Sequence, residues 1–228
     1  MIRRICSWAS SCLIKPVAFC KAFWTPAGSL AKFYPSRDEC LDLMESRGML
    51  PNIRAHSCRV RDVALILGER LMVAGVPLSL PLLEAGALLH DIAKTACLAN
   101  GGEHARLGAQ WLLDLGYPAV AEIIREHVWL SRHPAEPWPL REVEVVNYAD
   151  KRVLHDQVIS LTQRFVDLRQ RYGRTPEILD RISRNEARSL VLEQKIFAYL
   201  DITPADLSNM IDSGGVDAEN SLGLIERR

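Results

Sequence analysis

The chain has 228 residues, with 28 basic and 28 acidic side chains, so its formal net charge is zero. Apolar residues make up 48% and charged residues 25%, a globular balance that excludes wholesale disorder. The apolar stretches are too short for a membrane-spanning helix. The lack of a basic surplus argues against a protein whose main task is to hold nucleic acid.

The cysteines carry information about chemistry and compartment. They include no Cys-x-x-Cys pair, which argues against a zinc ribbon or a thioredoxin-type redox site. No convincing secretory signal precedes them, so we expect free thiols in a cytoplasmic protein. The six are Cys6, Cys12, Cys20, Cys40, Cys58 and Cys97.

Composition divides the chain into three zones. Residues 1–36 hold five basic side chains and no acid, residues 37–212 mix both signs, and residues 213–228 are rich in glycine and polar residues. We expect a single helical domain in the middle zone and a flexible tail after it. The first zone is a basic extension, either a disordered lead or, over residues 1–15, an amphipathic helix that contacts a membrane surface.

The middle zone predicts one helix after another. Apolar residues from Ile53 to Gly75 recur at helical spacing, and Pro118 stands where the first residue of another helix is expected. No segment shows the sustained alternation of a strand, so we predict an all-α fold. In chain order, the predicted helices cover about residues 37–48, 53–75, 78–98, 103–116, 118–130, 140–156, 157–172 and 176–200, with a proline-rich loop at 131–139.

Three histidines and one aspartate, residue types that can bind metals, lie on the apolar faces of separate predicted helices. One buried histidine is usually just a hydrogen-bonded core residue, and one buried aspartate is often half of an ion pair. A set of them directed at one interior indicates a shared partner, and a divalent cation would compensate them all. The set comprises His56, His104, His127 and Asp150.

His90 and Asp91 follow an apolar run and add a nitrogen and an oxygen ligand, the mixture of zinc, iron and manganese sites. The order of all these residues resembles the HD superfamily of metal-dependent phosphohydrolases. The segment LLHDIAK (88–94) is the most specific part, and NYADKRV (147–153) is similar to the segment that bears the last aspartate of the family. The likeness extends from about residue 37 to 160, is nearest the branch with symmetrical diadenosine tetraphosphate hydrolases, and implies an HD-type helical bundle. Many relatives carry a glycine where this chain has Ala93.

The resemblance implies a site with two divalent ions and Asp91 as the bridge between them. His104 and His127 match extra histidines of two-metal relatives, so we expect their side chains to converge within about 5 Å if they share an ion. The expected metals are iron or manganese, with magnesium or zinc also possible. The implied ligands are His56, His90, Asp91, His104, His127 and Asp150.

Cationic residues near the implied site are candidates for substrate binding. Lys94 matches a lysine that often contacts substrate phosphate in the family, so Asp91 and Lys94 are the implied catalytic residues. In the proline-rich loop, Arg132, His133 and Trp138 could line the mouth and stack a base, or be ordinary loop residues.

The residues around the last implied ligand leave alternatives open. Lys151 and Arg152 flank it and either contact phosphate or form the solvated face of their helix. His155 is expected to be a surface or packing residue. The charged helices after residue 157 are expected to form a solvated cover over the bundle.

These residues together predict a phosphohydrolase that cleaves a phosphoester or phosphoanhydride by a metal-activated water. The expected partner is a small phosphorylated substrate, in particular a nucleotide, with no nucleic acid and no transmembrane segment. Two alternatives remain: a non-catalytic regulatory module that binds a nucleotide in the same pocket, and a di-iron, oxygenase-type HD protein. All ligand positions are filled, which favours the enzyme.

Overall fold

The computed structural model describes residues 33–98 and 101–213, and the predicted all-α fold is confirmed there. The predictions for residues 1–15 and for the tail lie outside the described residues, as does most of the basic extension. The helices are α1 (Arg37–Ser46), α2 (Pro51–Val73), α3 (Leu80–Leu89), α4 (Lys94–Leu98), α5 (His104–Asp114), α6 (Pro118–Glu126), α7 (Glu142–Lys151), α8 (Leu161–Tyr172), α9 (Pro176–Phe197) and α10 (Asp206–Ser213). Strands β1 (Val153–Leu154) and β2 (Gln157–Val158) form a small antiparallel hairpin that the sequence pattern did not predict.

Local sequence signals place the starts and ends of the helices. Ser36 caps α1 in a reciprocal arrangement with Glu39, whose side chain accepts a hydrogen bond from the Ser36 amide. Pro51 and Pro118 stand in the first turns of α2 and α6, where no amide hydrogen is needed. Gly75 follows α2 with a φ of 88°, a conformation that glycine adopts without strain. Among the described helices, none is both long and apolar enough to cross a membrane.

Helix α3 lies between two apolar clusters. Leu83 and Ala87 belong to a larger cluster with residues of α2, α7, α8 and α9. Leu88 belongs to a smaller one with residues of α1, α5 and α6. Helices α8 and α9 leave most of their residues at least partly exposed, as the predicted solvated cover requires, and each also buries side chains in the larger cluster, among them Phe165 and Leu192.

A close approach of α3 and α6 sets the geometry of the site that follows both helices. A methyl group at Gly86 would lie 2.7 Å from the Cδ1 atom of Ile123, so only glycine fits without movement of the neighbour. This contact brings together the ends of the two helices, which are followed by His90 and His127.

Three predicted helices end earlier than expected. The predicted helix 78–98 is divided by a turn at residues 90–93, α6 ends at Glu126, and α7 ends at Lys151. His90 follows α3 and His127 follows α6. Their Nδ1 atoms donate to the carbonyls of Ala87 and Ile124, which the last turn of each helix leaves without an amide partner. The periodic apolar pattern continues past these ends, which is why it did not reveal them.

Candidate metal centre

The six candidate ligands converge from five parts of the fold. They form two adjoining groups, and within each group the possible ligand atoms lie within 4.8 Å of one another. The middle of α2, the turn after α3, the start of α5, the end of α6 and the last turn of α7 each contribute to them. The first group is His56, His90 and Asp150, and the second is Asp91, His104 and His127.

The first group is centred on one carboxylate oxygen. Asp150 Oδ1 lies 3.1 Å from Nε2 of His56 and 3.6 Å from Nε2 of His90. Both rings are buried, and the two ring centres are 5.4 Å apart. Two nitrogens and an oxygen therefore face one small volume.

Asp91 lies between the two groups. Its Oδ2 atom is 3.4 Å from Nε2 of His90, while its Oδ1 atom is 3.2 Å from Nε2 of His104 and 3.6 Å from Nε2 of His127. The Nε2 atoms of His104 and His127 are 3.2 Å apart. The two oxygens of Asp91 thus face different groups, the arrangement that a bridging carboxylate requires.

Backbone carbonyls orient three of the four rings. The Nδ1 atom of His56 donates to the carbonyl of His155 at 2.9 Å, that of His90 to Ala87 at 2.7 Å, and that of His127 to Ile124 at 2.6 Å. A carbonyl only accepts, so Nδ1 carries the hydrogen in each ring. When such a ring is neutral, its Nε2 atom holds the lone pair and faces the interior, as in metal-binding histidines.

The electrostatics of the two groups are asymmetric. Burial alone would lower the pKa of His90, but Asp91 and Asp150 outweigh it and raise that pKa to about 10. At His127, burial prevails over the contact with Asp91 and lowers the pKa. Burial favours the neutral forms of both aspartates, yet the neighbouring histidines hold the pKa of each carboxyl well below its usual range. Both carboxyls are therefore charged at neutral pH.

These residues fit a divalent metal. His90 Nε2 and Asp91 Oδ1 are buried and make no hydrogen bond of acceptable geometry, although charged and polar groups surround them. Buried polar atoms of this kind normally have a partner. Imidazole and carboxylate donors aimed at one space supply the ligand types of zinc, iron and manganese.

Lys94 begins α4 and lies at the edge of this cluster. Its Nζ atom donates to Asp91 Oδ2 at 2.6 Å, and 36% of its side chain is exposed. It also lines a cavity of about 180 Å³ together with His56. Burial would lower the pKa of Lys94, but Asp91 raises it, so the ammonium stays charged.

A layer of residues behind His127 has a role that the sequence did not predict. Asn147 donates to the carbonyls of Glu126 and His127, at 2.8 and 2.9 Å, and Lys151 donates to the His127 carbonyl at 3.1 Å. Lys151 is buried, which lowers its pKa to about 8, so it is neither a solvated residue nor a phosphate contact. The spacing of four between residues 147 and 151 on a helix was the available signal.

Arg152 was expected as a substrate contact, and the structure contradicts this. Its guanidinium is buried and donates to the Tyr148 hydroxyl at 2.5 Å, to the Ile159 carbonyl at 2.6 Å and to the Pro204 carbonyl at 2.8 Å. Tyr148 in turn donates to Glu193. All three nitrogens of the guanidinium therefore donate to groups of the protein itself.

The proline-rich loop keeps its candidates apart from the cluster. Arg132 and His133 are exposed, and Arg132 lies over the ring of Trp138, 5.3 Å from its centroid. The His133 ring accepts a hydrogen bond from the Ala135 amide. Neither Arg132 nor His133 lines the cavity beside Lys94. Their contact with substrate stays a prediction.

His155 has a role that the sequence did not indicate. It occupies the hairpin turn with a φ of 57°, unusual for a residue with a side chain, and its carbonyl accepts the bond from His56. Its ring Nε2 accepts a hydrogen bond from Arg171 at 3.1 Å. His155 is exposed, as expected of a surface residue, and its carbonyl in addition orients a candidate ligand.

Parts of the chain are similar to known proteins. Over 148 residues, the chain is 29% identical to a tRNA (cytidine(56)-2'-O)-methyltransferase of Picrophilus torridus, covering 60% of this chain and 41% of that protein. It thus spans less than half the length of that curated relative. A solved structure of a predicted HD superfamily hydrolase from an uncultured Thermotogales bacterium aligns over 72% of this chain and 92% of its own, with 20% identity and a TM-score of 0.41. Residues 53–154, which include all six candidate ligands, match the family model of the HD domain, so this segment of the chain is identified as an HD domain.

Proposed function

We propose that the protein is a metal-dependent phosphohydrolase that cleaves a phosphoester or phosphoanhydride of a nucleotide or another small phosphorylated metabolite. The observation that carries this proposal is the pair of adjoining donor groups that share Asp91. Each group offers two imidazoles and one carboxylate oxygen, a complete set of protein ligands for a catalytic ion that keeps positions open.

Two divalent ions bound there would lower the pKa of a water between them and polarise a phosphoryl oxygen. Asp91 is the residue that would hold both ions, since its two oxygens face different groups. His56, His90 and Asp150 would complete one set of ligands, and His104 and His127 the other. Iron or manganese suits this mixture best.

Lys94 is the candidate for charge compensation on the substrate. Its ammonium is charged, partly exposed and adjacent to Asp91, so it can donate to a phosphoryl oxygen held at the cluster. A fixed cation at the position where negative charge develops stabilises the transition state more than the ground state.

A metal and activity screen tests the proposal. Protein purified without oxygen is analysed for bound metals and then screened for phosphate release across nucleotides and other phosphorylated metabolites. The Asp91→Ala variant should lose both metal and phosphate release while keeping its helical circular dichroism. Asp114→Ala removes an exposed aspartate at the end of α5 and is the matched control.

The same preparation separates the alternatives. Phosphate release without oxygen supports a hydrolase, whereas consumption of oxygen with no phosphate release would support the di-iron oxygenase. Binding of a nucleotide without turnover would support the regulatory module. Full metal content in the Asp91→Ala protein would contradict the ligand assignment. Methyl transfer to tRNA is not proposed, because the segment shared with the Picrophilus protein is 41% of that chain.

A further inference from the structure

A small basic cavity adjoins the candidate metal centre. It has a volume of about 180 Å³ and is lined by His56 and Lys94 on the side of the cluster and by residues of α8 on the other side. Pockets that enclose drug-sized ligands measure roughly 300–1,000 Å³. The cavity therefore has room for a group about the size of a phosphate rather than for a whole nucleotide.

The charges of the cavity favour an anion. Its lining contains three cationic side chains, Lys94, Arg164 and Arg171, and a single carboxylate, Asp167. Asp167 accepts a hydrogen bond from Arg171 at 2.7 Å, and it is 3.6 Å from Nη1 of Arg164. One carboxylate therefore faces two guanidinium groups, and the cavity keeps an excess of positive charge.

Arg164 has donor capacity that the protein does not use. The side chain is only 16% exposed, and its Nε atom is buried without a hydrogen-bond partner. A buried donor without a partner costs free energy unless a ligand satisfies it. A planar guanidinium matches the oxygens of a phosphate better than any other side chain does.

His155 connects this cavity with the candidate metal ligands. Its ring accepts from Arg171, while its carbonyl accepts from the Nδ1 atom of His56. An anion bound to Arg171 would therefore be connected through a single residue, His155, to the ligand group that contains His56. An extended substrate can occupy the cluster and the cavity at the same time.

We propose that Arg164 and Arg171, supported by His155, form a subsite for a second phosphate group of the substrate, next to the phosphoryl group that is cleaved. The inference rests on the proposed function and refines it. It favours substrates with two or more phosphates, such as a phosphoanhydride or a bisphosphate, over simple monophosphates.

Calorimetric titration with two probes tests the subsite. Methylenediphosphonate carries two phosphate-like groups joined by a carbon that hydrolysis does not cleave, and inorganic phosphate carries one. Both are titrated into metal-loaded and EDTA-treated protein, with one fixed free metal concentration for all loaded samples, so that chelation by the probe is equal among variants. The variants are Arg164→Gln and Arg171→Gln, and the control is Arg184→Gln, which removes an exposed arginine of α9.

The subsite predicts that each cavity variant binds methylenediphosphonate about ten- to a hundredfold more weakly, the loss expected for one charge-assisted hydrogen bond. Binding of inorganic phosphate to the metal-loaded protein should change less than twofold, and the control should match wild type. Equal binding of methylenediphosphonate by wild type and by Arg171→Gln would overturn the proposal. Arg171 is 45% exposed, so this variant should fold even if Arg164→Gln does not.

The titration separates the two hypotheses. If no phosphorylated compound is hydrolysed but methylenediphosphonate binding still depends on the arginines, the proposed hydrolysis fails and the subsite stands. If phosphate is released with equal kcat/KM from mono- and diphosphates by wild type and both variants, the hydrolysis stands and the subsite fails.

Discussion

The Nε2 atoms of His104 and His127 face each other at 3.2 Å. The Nδ1 hydrogen of His127 is used on the Ile124 carbonyl, and burial lowers the pKa of this ring, so its Nε2 atom carries a lone pair. This lone pair is satisfied either by a hydrogen on Nε2 of His104 or by a cation that both rings share. Together with Asp91 Oδ1, which is 3.2 Å from His104 Nε2, the pair offers three donor atoms to one ion in the second ligand group.

The double variant His104→Ala, His127→Ala should keep one metal per chain and lose most of the phosphate release. Removing both imidazoles leaves the first group, His56, His90 and Asp150, unchanged. Metal analysis and phosphate-release kinetics measure the two effects. Gln110→Ala, which removes an exposed side chain of α5, is the control. A wild-type protein that is fully active with one metal would contradict the two-metal hypothesis and leave a one-metal site.

Lys94→Ala should keep its metal and turn over the best substrate about ten- to a hundredfold more slowly, since one charge-assisted hydrogen bond to phosphate is lost. The measurement is kcat and KM of the metal-loaded variant, with metal content determined on the same sample. Unchanged kinetics would contradict a contact between Lys94 and phosphate and would leave only its contact with Asp91.

Metal uptake should release at least one proton per chain at pH 7. In the metal-free protein, Asp91 and Asp150 overcome the effect of burial and raise the pKa of His90 to about 10, so its ring is protonated at pH 7. A metal binds only the neutral ring, so affinity should rise with pH, about tenfold per unit for each proton released, until pH reaches that pKa.

Calorimetry in two buffers with different ionisation enthalpies counts the released protons. His90→Gln should release about one proton fewer than wild type, which separates the ring from any proton lost by a bound water. Equal proton release by the two proteins would contradict the assignment to His90.

Arg152→Met should lower the free energy of unfolding by about 3–5 kcal/mol, the range for breaking a buried charged network. The arginine follows α7 directly. It donates to Tyr148 within that helix, to the Ile159 carbonyl before α8 and to the Pro204 carbonyl in the loop before α10. Urea unfolding measures the change, and Arg141→Met, which removes a surface ion pair with Glu122, should cost about 0–1 kcal/mol. Equal stability of the two variants would contradict the structural role.

The sequence contained enough information for the fold class and for the convergence of the ligand side chains. His56 and Asp150 lie on apolar stripes of helices, and periodicity alone directs them inward. The turn at residues 90–93 and the hairpin around His155 could not be predicted, because they depend on hydrogen bonds between side chains and distant backbone.

The roles of the arginines could not be assigned from the sequence either. Arg152 and Arg164 stand in segments of similar charge, but one is directed into the core and the other lines the cavity. Arg152 pairs with Glu193 of α9, whereas Arg164 pairs with Asp167 of its own helix. One sequence pattern is thus compatible with both orientations, and tertiary contacts select between them.

In the hairpin turn, the backbone and the side chain of His155 make two independent contacts. The His155 carbonyl orients His56, whereas the His155 ring contacts Arg171. Any residue that tolerates the left-handed backbone, such as glycine or asparagine, would preserve the first contact and abolish the second. Residue 155 and the facing side of α8 can therefore change what the cavity recognises, while the same backbone atom continues to hold His56 in place.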